Sequence, residues 1–271
     1  MVRALQILFP LYIPPSGCSG TGVCNWQPLY DVIHAYPALQ FNVIVNPASG
    51  PGPSGSLPDV EYKAGISALN AYPNARTIGY IASHNGTKPA LAYQDEIKTY
   101  SGWSSYRAAN IAVHGIFIDE TNTDTAKIPY FSNFSTAIHK TFGDNALVVH
   151  NPGVITPQAF FNAIQKDVFV TFENFYNKMW VSDTIFTTTN PTYKNTPHER
   201  QAAILHNFNG SIPTDLVNVT DTVGELYDMK YIYITDQPEY NTSSTILSRF
   251  AASVNGTNTF MSQHPEWFPR A

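Results

Sequence analysis

The chain has 271 residues, close to the ~250 typical of one (β/α)8 barrel and long enough to bury a full core, so residues 1-271 are expected to form a single domain. Charged residues account for 13 % and Phe, Trp and Tyr for another 13 %, a balance that suits an extracellular protein handling a neutral, hydroxylated ligand. A net charge of -5 and a pI near 5.9 provide no basic patch, which argues against nucleic acid as a partner.

Short apolar runs alternate with amphipathic stretches along the whole chain. Ala4 to Ile13 is the first strand-like run, stopped by Pro14-Pro15. A Gly-rich loop with Cys18 and Cys24 follows, then helical spacing at Trp26, Leu29, Tyr30 and Ile33, ending before Pro37. Phe41 to Val45 is the second run, and the loop from Ala48 to Pro58 holds too many Pro, Gly and Ser residues for regular structure. Asp59 reads as the N-cap of a helix through Tyr72. Arg76 to Ser83 is a third strand, with a helix near Pro89 to Tyr100 after it.

The fourth run, Gly115-Ile116-Phe117-Ile118-Asp119-Glu120, is apolar until it ends in two adjacent carboxylates. Unbroken apolar character suits a strand covered on both faces, as in a parallel sheet. A helix over Phe131 to Phe142 follows, then a strand from Ala146 to His150 and a short helix from Pro157 to Ile164. Val168 to Phe172 is the sixth strand, ending in Glu173-Asn174, and the Thr-rich segment Thr184 to Thr189 blurs its helix. Gln201 to Leu205 ends in His206-Asn207; helix Thr214 to Leu226, strand Tyr231 to Thr235 and helix Ser243 to Val254 complete the count.

Eight such pairs in one chain favour an α/β class (β/α)8 TIM barrel over an open doubly wound sheet. No Gly-x-Gly-x-x-Gly, P-loop or Gly-x-Ser-x-Gly motif follows any strand, so nucleotide binding and Ser-His-Asp hydrolysis lack support. In a barrel the residues beyond the strand C-termini converge on one mouth. Here they are Tyr12, Asn46, His84, Asp119, Glu120, His150, Asn151, Glu173, Asn174, His206, Asn207 and Asp236. Helix capping would favour Ser, Thr and Asp over this mixture of His, Asn and Glu. Asp119 or Glu120 facing Glu173 from another strand would supply the two carboxyl groups of glycosidic cleavage, one to protonate the leaving oxygen and one to attack or to activate water. Tyr12, Asn46, His84, His150, Asn174, His206 and Asp236 are the candidate substrate contacts. Tyr12, Trp26, Trp103, Phe175, Tyr176 and Trp180 are candidate sugar-stacking rings. The histidines stand singly, without His-x-x-x-His or Asp-x-His spacing, so neither a metal nor a cofactor is expected.

Cys18 and Cys24 could close a small disulfide ring or remain free thiols. Six Asn-x-Ser/Thr sequons, at Asn85, Asn133, Asn209, Asn218, Asn241 and Asn255, point to the secretory route and favour the disulfide. The first residues lack a hydrophobic signal core, so any leader is expected to have been removed. No window approaches the ~18 apolar residues of a membrane span.

Phe9-Pro10-Leu11-Tyr12-Ile13-Pro14-Pro15, the block Val43-Ile44-Val45-Asn46-Pro47-Ala48-Ser49-Gly50-Pro51-Gly52, Thr77-Ile78-Gly79-Tyr80-Ile81, Tyr100-Ser101-Gly102-Trp103 and the Gly115 to Glu120 strand together resemble the spherulin-4 family, which includes the fungal Sph-type glycoside hydrolases. The resemblance runs from about residue 5 to 255. It implies a secreted or wall-associated (β/α)8 glycosidase that cuts galactosaminogalactan, an exopolysaccharide of galactose and N-acetylgalactosamine, at α-1,4-linked N-acetylgalactosamine and from within the chain. The family's acidic cluster falls on Asp119, Glu120 and Glu173, the last in the context Val-x-Thr-Phe-Glu-Asn. The partner is then the polysaccharide, bound by a monomer. Two other readings compete: a metal-dependent polysaccharide deacetylase using Asp119 with His84, His150 or His206, and a barrel that binds carbohydrate without cutting it.

Neighbouring strand residues point to opposite faces, so only one of Asp119 and Glu120 faces inward. Barrel interiors favour branched aliphatics, and the parity of Ile116 and Ile118 by itself would turn Glu120 inward. The short Asp side chain nevertheless suits a nucleophile. The expectation is therefore Asp119 as nucleophile, Glu173 as general acid/base, and Glu120 as a neighbour that binds substrate and raises the pKa of the acid by like charge.

Overall fold

The computed structural model describes residues 4–20, 22–181, 184–186 and 195–268. Each apolar run forms a strand: β1 Gln6–Leu11, β2 Phe41–Val45, β3 Ala75–Ala82, β4 Gly115–Asp119, β5 Leu147–His150, β6 Val168–Phe175, β7 Gln201–His206 and β8 Tyr231–Ile234. Every strand pairs in parallel with its sequence neighbours, and β1 pairs with β8, closing the barrel. Every residue of β2 is buried, as expected of strands packed on both faces. Each fully buried Ile, Val or Phe contributes roughly 1.5–3 kcal/mol relative to exposure, so this double-faced burial dominates the stability.

The helices among the described residues are α1 Gln27–Ala35, α2 Val60–Leu69, α3 Ala90–Gly102, α4 Ile128–Phe142, α5 Gln158–Ala163, α6 Thr214–Asp221 and α7 Leu247–Gln263. Asp59 caps α2, its side chain accepting from the Tyr62 amide at 2.8 Å. Past α6 the chain makes one π-helical turn, Thr222–Leu226, where a continuous helix was expected. The last helix starts later than expected and runs on to Gln263, because Ser244 and Thr245 are drawn into hydrogen bonds to the Asp236 carboxylate. Between β6 and β7 the Thr184 to Thr189 segment leaves the described residues after 186.

Close helix-to-barrel contact depends on Gly79. A Cβ there would lie 2.6 Å from the Tyr100 ring of α3, and the Tyr100 hydroxyl reaches past it to the Tyr80 carbonyl at 3.0 Å. In the β1–α1 loop Cys18 and Cys24 are joined as a disulfide, and the Ser19 amide and hydroxyl both donate to Glu61 of α2. Among the described residues no helix is long and apolar enough to cross a membrane.

Candidate active site

The C-terminal end of β4 carries the first acidic group. In the β3–β4 register Phe117 lies beside Tyr80, and their rings stack at 6.3 Å. Asp119 has the parity of Phe117, and its Oδ2 accepts from the Tyr80 hydroxyl at 2.8 Å. Ile118 instead pairs with His150, whose ring meets Phe131 of α4. The barrel interior at this level is aromatic rather than branched aliphatic, so the parity rule that would turn Glu120 inward fails and Asp119 faces the axis. Glu120 has left the strand with φ +56°, a left-handed conformation that costs a non-glycine residue about 1 kcal/mol. Its carbonyl is held by the Asn85 amide and the Ser83 hydroxyl. Its carboxylate lies 3.1 Å from His84 Nδ1, with both side chains about half exposed.

Asn151 follows β5 and is 8 % exposed. Its Nδ2 donates both to Asp119 Oδ1 at 2.8 Å and to Glu173 Oε2 at 2.6 Å. One amide nitrogen thus bridges the two carboxyl groups. The sum of the two bond lengths, 2.8 and 2.6 Å, is an upper limit on the distance between the bridged oxygens, and a limit of that size is compatible with the ~5–5.5 Å between the carboxyl groups of retaining glycosidases. Asn151 Oδ1 is buried without a partner among the described residues. An orphaned acceptor costs on the order of 1–3 kcal/mol, and both hydrogens of the same amide are committed to the carboxylates.

Glu173 is brought inward by an irregularity of β6. Val170 pairs with Ala202, but Phe172 pairs with Ala203, so the register slips by one residue between them. In an unbroken strand Glu173 would have the opposite parity to Val168 and Val170 and would face the helices. The bulge reverses that, as bulges beside active sites do. The Gly153 amide donates to the Val170 carbonyl at 3.1 Å, and the Gly153 carbonyl accepts from the Glu173 amide at 2.9 Å. These two bonds span the bulge and pin it. Gly153 adopts φ +67°, and a Cβ on it would meet Glu173 Cβ at 3.4 Å, so glycine suits the position.

Burial pushes the Glu173 carboxyl above its ordinary value, and the nearby Asp119 charge adds to the rise; hydrogen bonds from Tyr240 and Asn151, with the field of His206, oppose it. The like-charged neighbour that raises Glu173 is therefore Asp119 rather than Glu120, whose carboxylate is paired with His84. Tyr240, from the loop after β8, donates to Glu173 Oε1 at 2.5 Å. The Tyr12 ring packs edge-on to Tyr80 at 5.5 Å and to Tyr240 at 5.7 Å. Burial, then the charges of Asp119 and Glu173, hold the Tyr12 phenol well above its usual range, so it stays a neutral hydrogen-bonding group at any working pH.

These groups line a cavity of about 700 Å³ that includes Tyr12, Asp119, Glu120, Asn151, Glu173, His206 and Tyr240. A separate cavity of about 530 Å³ between α6 and α7, lined by Leu216, Ala252 and Phe260, lies outside the barrel and away from the strand ends. The expected site residues part company here. Tyr12, Asp119, Glu120, Glu173 and His206 come together, whereas five candidate contacts serve other purposes. Asn46 accepts from the Gly50 amide and ties its own loop. His84 is taken by Glu120. Asn174 is exposed and bonds the next amide, that of Phe175. Asp236 accepts from Ser244 and Thr245 and anchors the loop before α7. Of the aromatic candidates, Trp26 and Trp103 are core residues, 1 % exposed, whose indoles donate to the Ile13 and Ser56 carbonyls. Phe175 is exposed beside His206, ring to ring at 4.5 Å, and Tyr176 packs on Phe208. Tyr80 and Tyr240 were not foreseen; Tyr80 shares strand parity with Ala82, the partner of Asp119, a signal readable once the register is known.

His150 is the clearest correction. It is fully buried on the outer face of the barrel, stacked on Phe169, with Nε2 2.8 Å from Asp167, which His139 also contacts at 2.7 Å. Burial would raise the Asp167 pKa, but hydrogen bonds from His139 and His150 win and bring it to about 2. A group depressed in this way stabilises the fold above its unfolded pKa, and the contribution fades as pH falls towards 2. Asp167→Asn should therefore destabilise the fold by about 3 kcal/mol near neutral pH, the order found when one partner of a buried charge network is removed. Thermal melting checks this; an unchanged melting temperature would contradict it.

Three comparisons bear on the chain. The family model described as spherulation-specific family 4 matches residues 6–254. Among solved structures, Sph3 from Aspergillus clavatus in complex with GalNAc is 28% identical with a TM-score of 0.81, over 93% of this chain and 98% of that one. A chitinase from Bacteroides thetaiotaomicron is 9% identical with a TM-score of 0.56, over 97% of this chain and 98% of its own. The β-1,4-mannanase from the sea hare Aplysia kurodai is 11% identical with a TM-score of 0.54, over 96% and 93%. These last two show a shared fold. No curated protein matches the chain.

Proposed function

The chain belongs to the spherulation-specific family 4, and from that premise we propose that it is a retaining glycoside hydrolase acting within chains of α-1,4-linked N-acetylgalactosamine, as in galactosaminogalactan. The observation that carries this reading is the single Asn151 nitrogen bridging Asp119 and Glu173. Two carboxyl groups at that spacing suit double displacement, in which one attacks the anomeric carbon and the other moves the proton. The likeness to a structure bound to GalNAc supports the sugar. Among the described residues no lysine or arginine lines the cavity, while Asp119, Glu120, Glu173 and Glu239 do, which favours an uncharged saccharide over an anionic one.

In this reading Asp119, fixed by Tyr80, Asn151 and the Glu120 amide, attacks the anomeric carbon and forms a glycosyl ester. Glu173, whose proton affinity is raised by burial, protonates the departing oxygen. It then takes a proton from the water that opens the ester. Glu120 and His206 meet the sugar at the rim. Two inversions leave the anomeric configuration as it began.

The histidines that a deacetylase centre would pair with Asp119 are engaged elsewhere: His84 with Glu120, His150 with Asp167 and His206 with the Pro238 carbonyl. All catalytic groups come from one chain, so a monomer suffices, and we take residues 1-271 as one catalytic domain. The Cys18–Cys24 bond fits an oxidising compartment, in keeping with a secreted or cell-surface enzyme.

The test is incubation with galactosaminogalactan followed by proton NMR of the fresh products. New reducing ends should appear first as the α anomer. No reducing ends would leave a binding protein, release of acetate alone a deacetylase, and a first-formed β anomer an inverting enzyme.

A further inference from the structure

A general acid must present its O–H to the leaving oxygen. Both oxygens of Glu173 are already engaged as acceptors. Oε2 accepts from Asn151 and Oε1 from Tyr240, at 2.6 and 2.5 Å. The two donors differ in how easily they can yield. Asn151 is buried and holds Asp119 with the same nitrogen. Tyr240 is half-buried at the cavity wall, in a loop tied down at Asp236 and through the Pro238 carbonyl to His206. Its ring rests against Tyr12 and His206, 5.7 and 5.9 Å away.

Resting on the glycosidase reading above, we propose that Tyr240 is a positioning residue whose hydroxyl occupies the place of the leaving oxygen in the free enzyme, and that the arriving substrate displaces it from Glu173 Oε1. The hydroxyl favours the carboxylate form of Glu173 until it is displaced; Glu173 then takes a proton from solvent on the vacated Oε1 and passes it to the substrate oxygen that has come to lie there. The acid is thereby kept from full proton affinity until a substrate is seated.

The groups facing Glu173 are Asp119 from β4, Tyr80 from β3, Tyr12 after β1, Asn151 after β5, His206 at the end of β7, and Tyr240. Only Tyr240 changes partner on binding in this scheme. The Tyr240 bond lowers the Glu173 pKa, and a hydrogen bond to a charged group is of the size that moves a pKa by about one unit.

The profile of kcat/KM reports the free enzyme and that of kcat the substrate complex. Tyr240→Phe keeps the ring and removes the hydroxyl. Its kcat/KM profile should have its alkaline limb about one pH unit above wild type, while the limb of the kcat profile stays where it is. Equal movement of both limbs would mean that Tyr240 remains bonded in the complex; movement of neither would mean that it does not govern Glu173. Either result overturns the proposal. If the protein binds sugar without cutting it, the glycosidase reading fails separately, and a carbon NMR titration of the Glu173 carboxyl decides this one. Tyr240→Phe should raise the midpoint in the free protein and leave it unchanged in protein saturated with N-acetylgalactosamine; the same midpoint shift in both would refute displacement.

Discussion

Asp119→Asn is expected to lower kcat by more than about a thousandfold while leaving the near-ultraviolet circular dichroism of the wild type, since losing a covalent nucleophile removes the intermediate itself. The amide keeps the shape of the carboxylate: its oxygen can still accept from Asn151 and the Glu120 amide at the Oδ1 position, and its NH2 at the Oδ2 position can donate to the Tyr80 hydroxyl, which lies 2.8 Å away, so the cavity wall should not collapse. Asp119→Ala goes further by opening space beneath the anomeric carbon. In azide buffer a retaining enzyme so altered lets the anion attack from the vacated face, giving a glycosyl azide of inverted, here β, configuration. Glu120→Ala should give no such product, because the Glu120 side chain points to His84 rather than to the axis. A β-azide from Glu120→Ala and none from Asp119→Ala would reverse the assignment, and activity above a tenth of wild type in Asp119→Asn would remove it from the pair.

Glu173→Gln is the second large effect. With a sugar as leaving group the rate should fall about 10²–10⁴-fold, the range that a positioned proton donor supplies. With an aryl glycoside whose phenol leaves without protonation, the first step should be nearly spared. The pH profile separates this from mere misfolding. Burial and the Asp119 charge raise the pKa of Glu173, so wild type loses activity as pH rises through that value and the acid ionises. Glutamine does not titrate, and the alkaline limb should disappear. Persistence of the limb in Glu173→Gln would assign the proton to another group, and equal losses on both substrates would show that Glu173 is not the acid.

The sequence by itself determined the barrel. Eight apolar runs separated by amphipathic stretches, without a nucleotide-binding or hydrolase motif, leave little else, and the resemblance carried on the Gly115 to Glu120 strand placed the acidic cluster near a strand end. Runs such as Phe41 to Val45 need burial on both faces, and that requirement is local. What it could not determine was direction. Asp119 faces inward because Phe117 packs on Tyr80 across the β3–β4 register, a contact between residues far apart in the chain. Glu173 faces inward only because β6 bulges between Val170 and Phe172 against the Gly153 backbone; alternation counted along the strand gives the opposite face. His150 reads as a mouth residue in sequence and lies instead under α4, its Nε2 bonded to Asp167. Tyr240 has no signal at all, since a loop residue reaches Glu173 through the path of its backbone and not through any period. Burial pattern is written in residue order, but which oxygen meets which donor depends on register and loop path, and those are set only when the barrel closes.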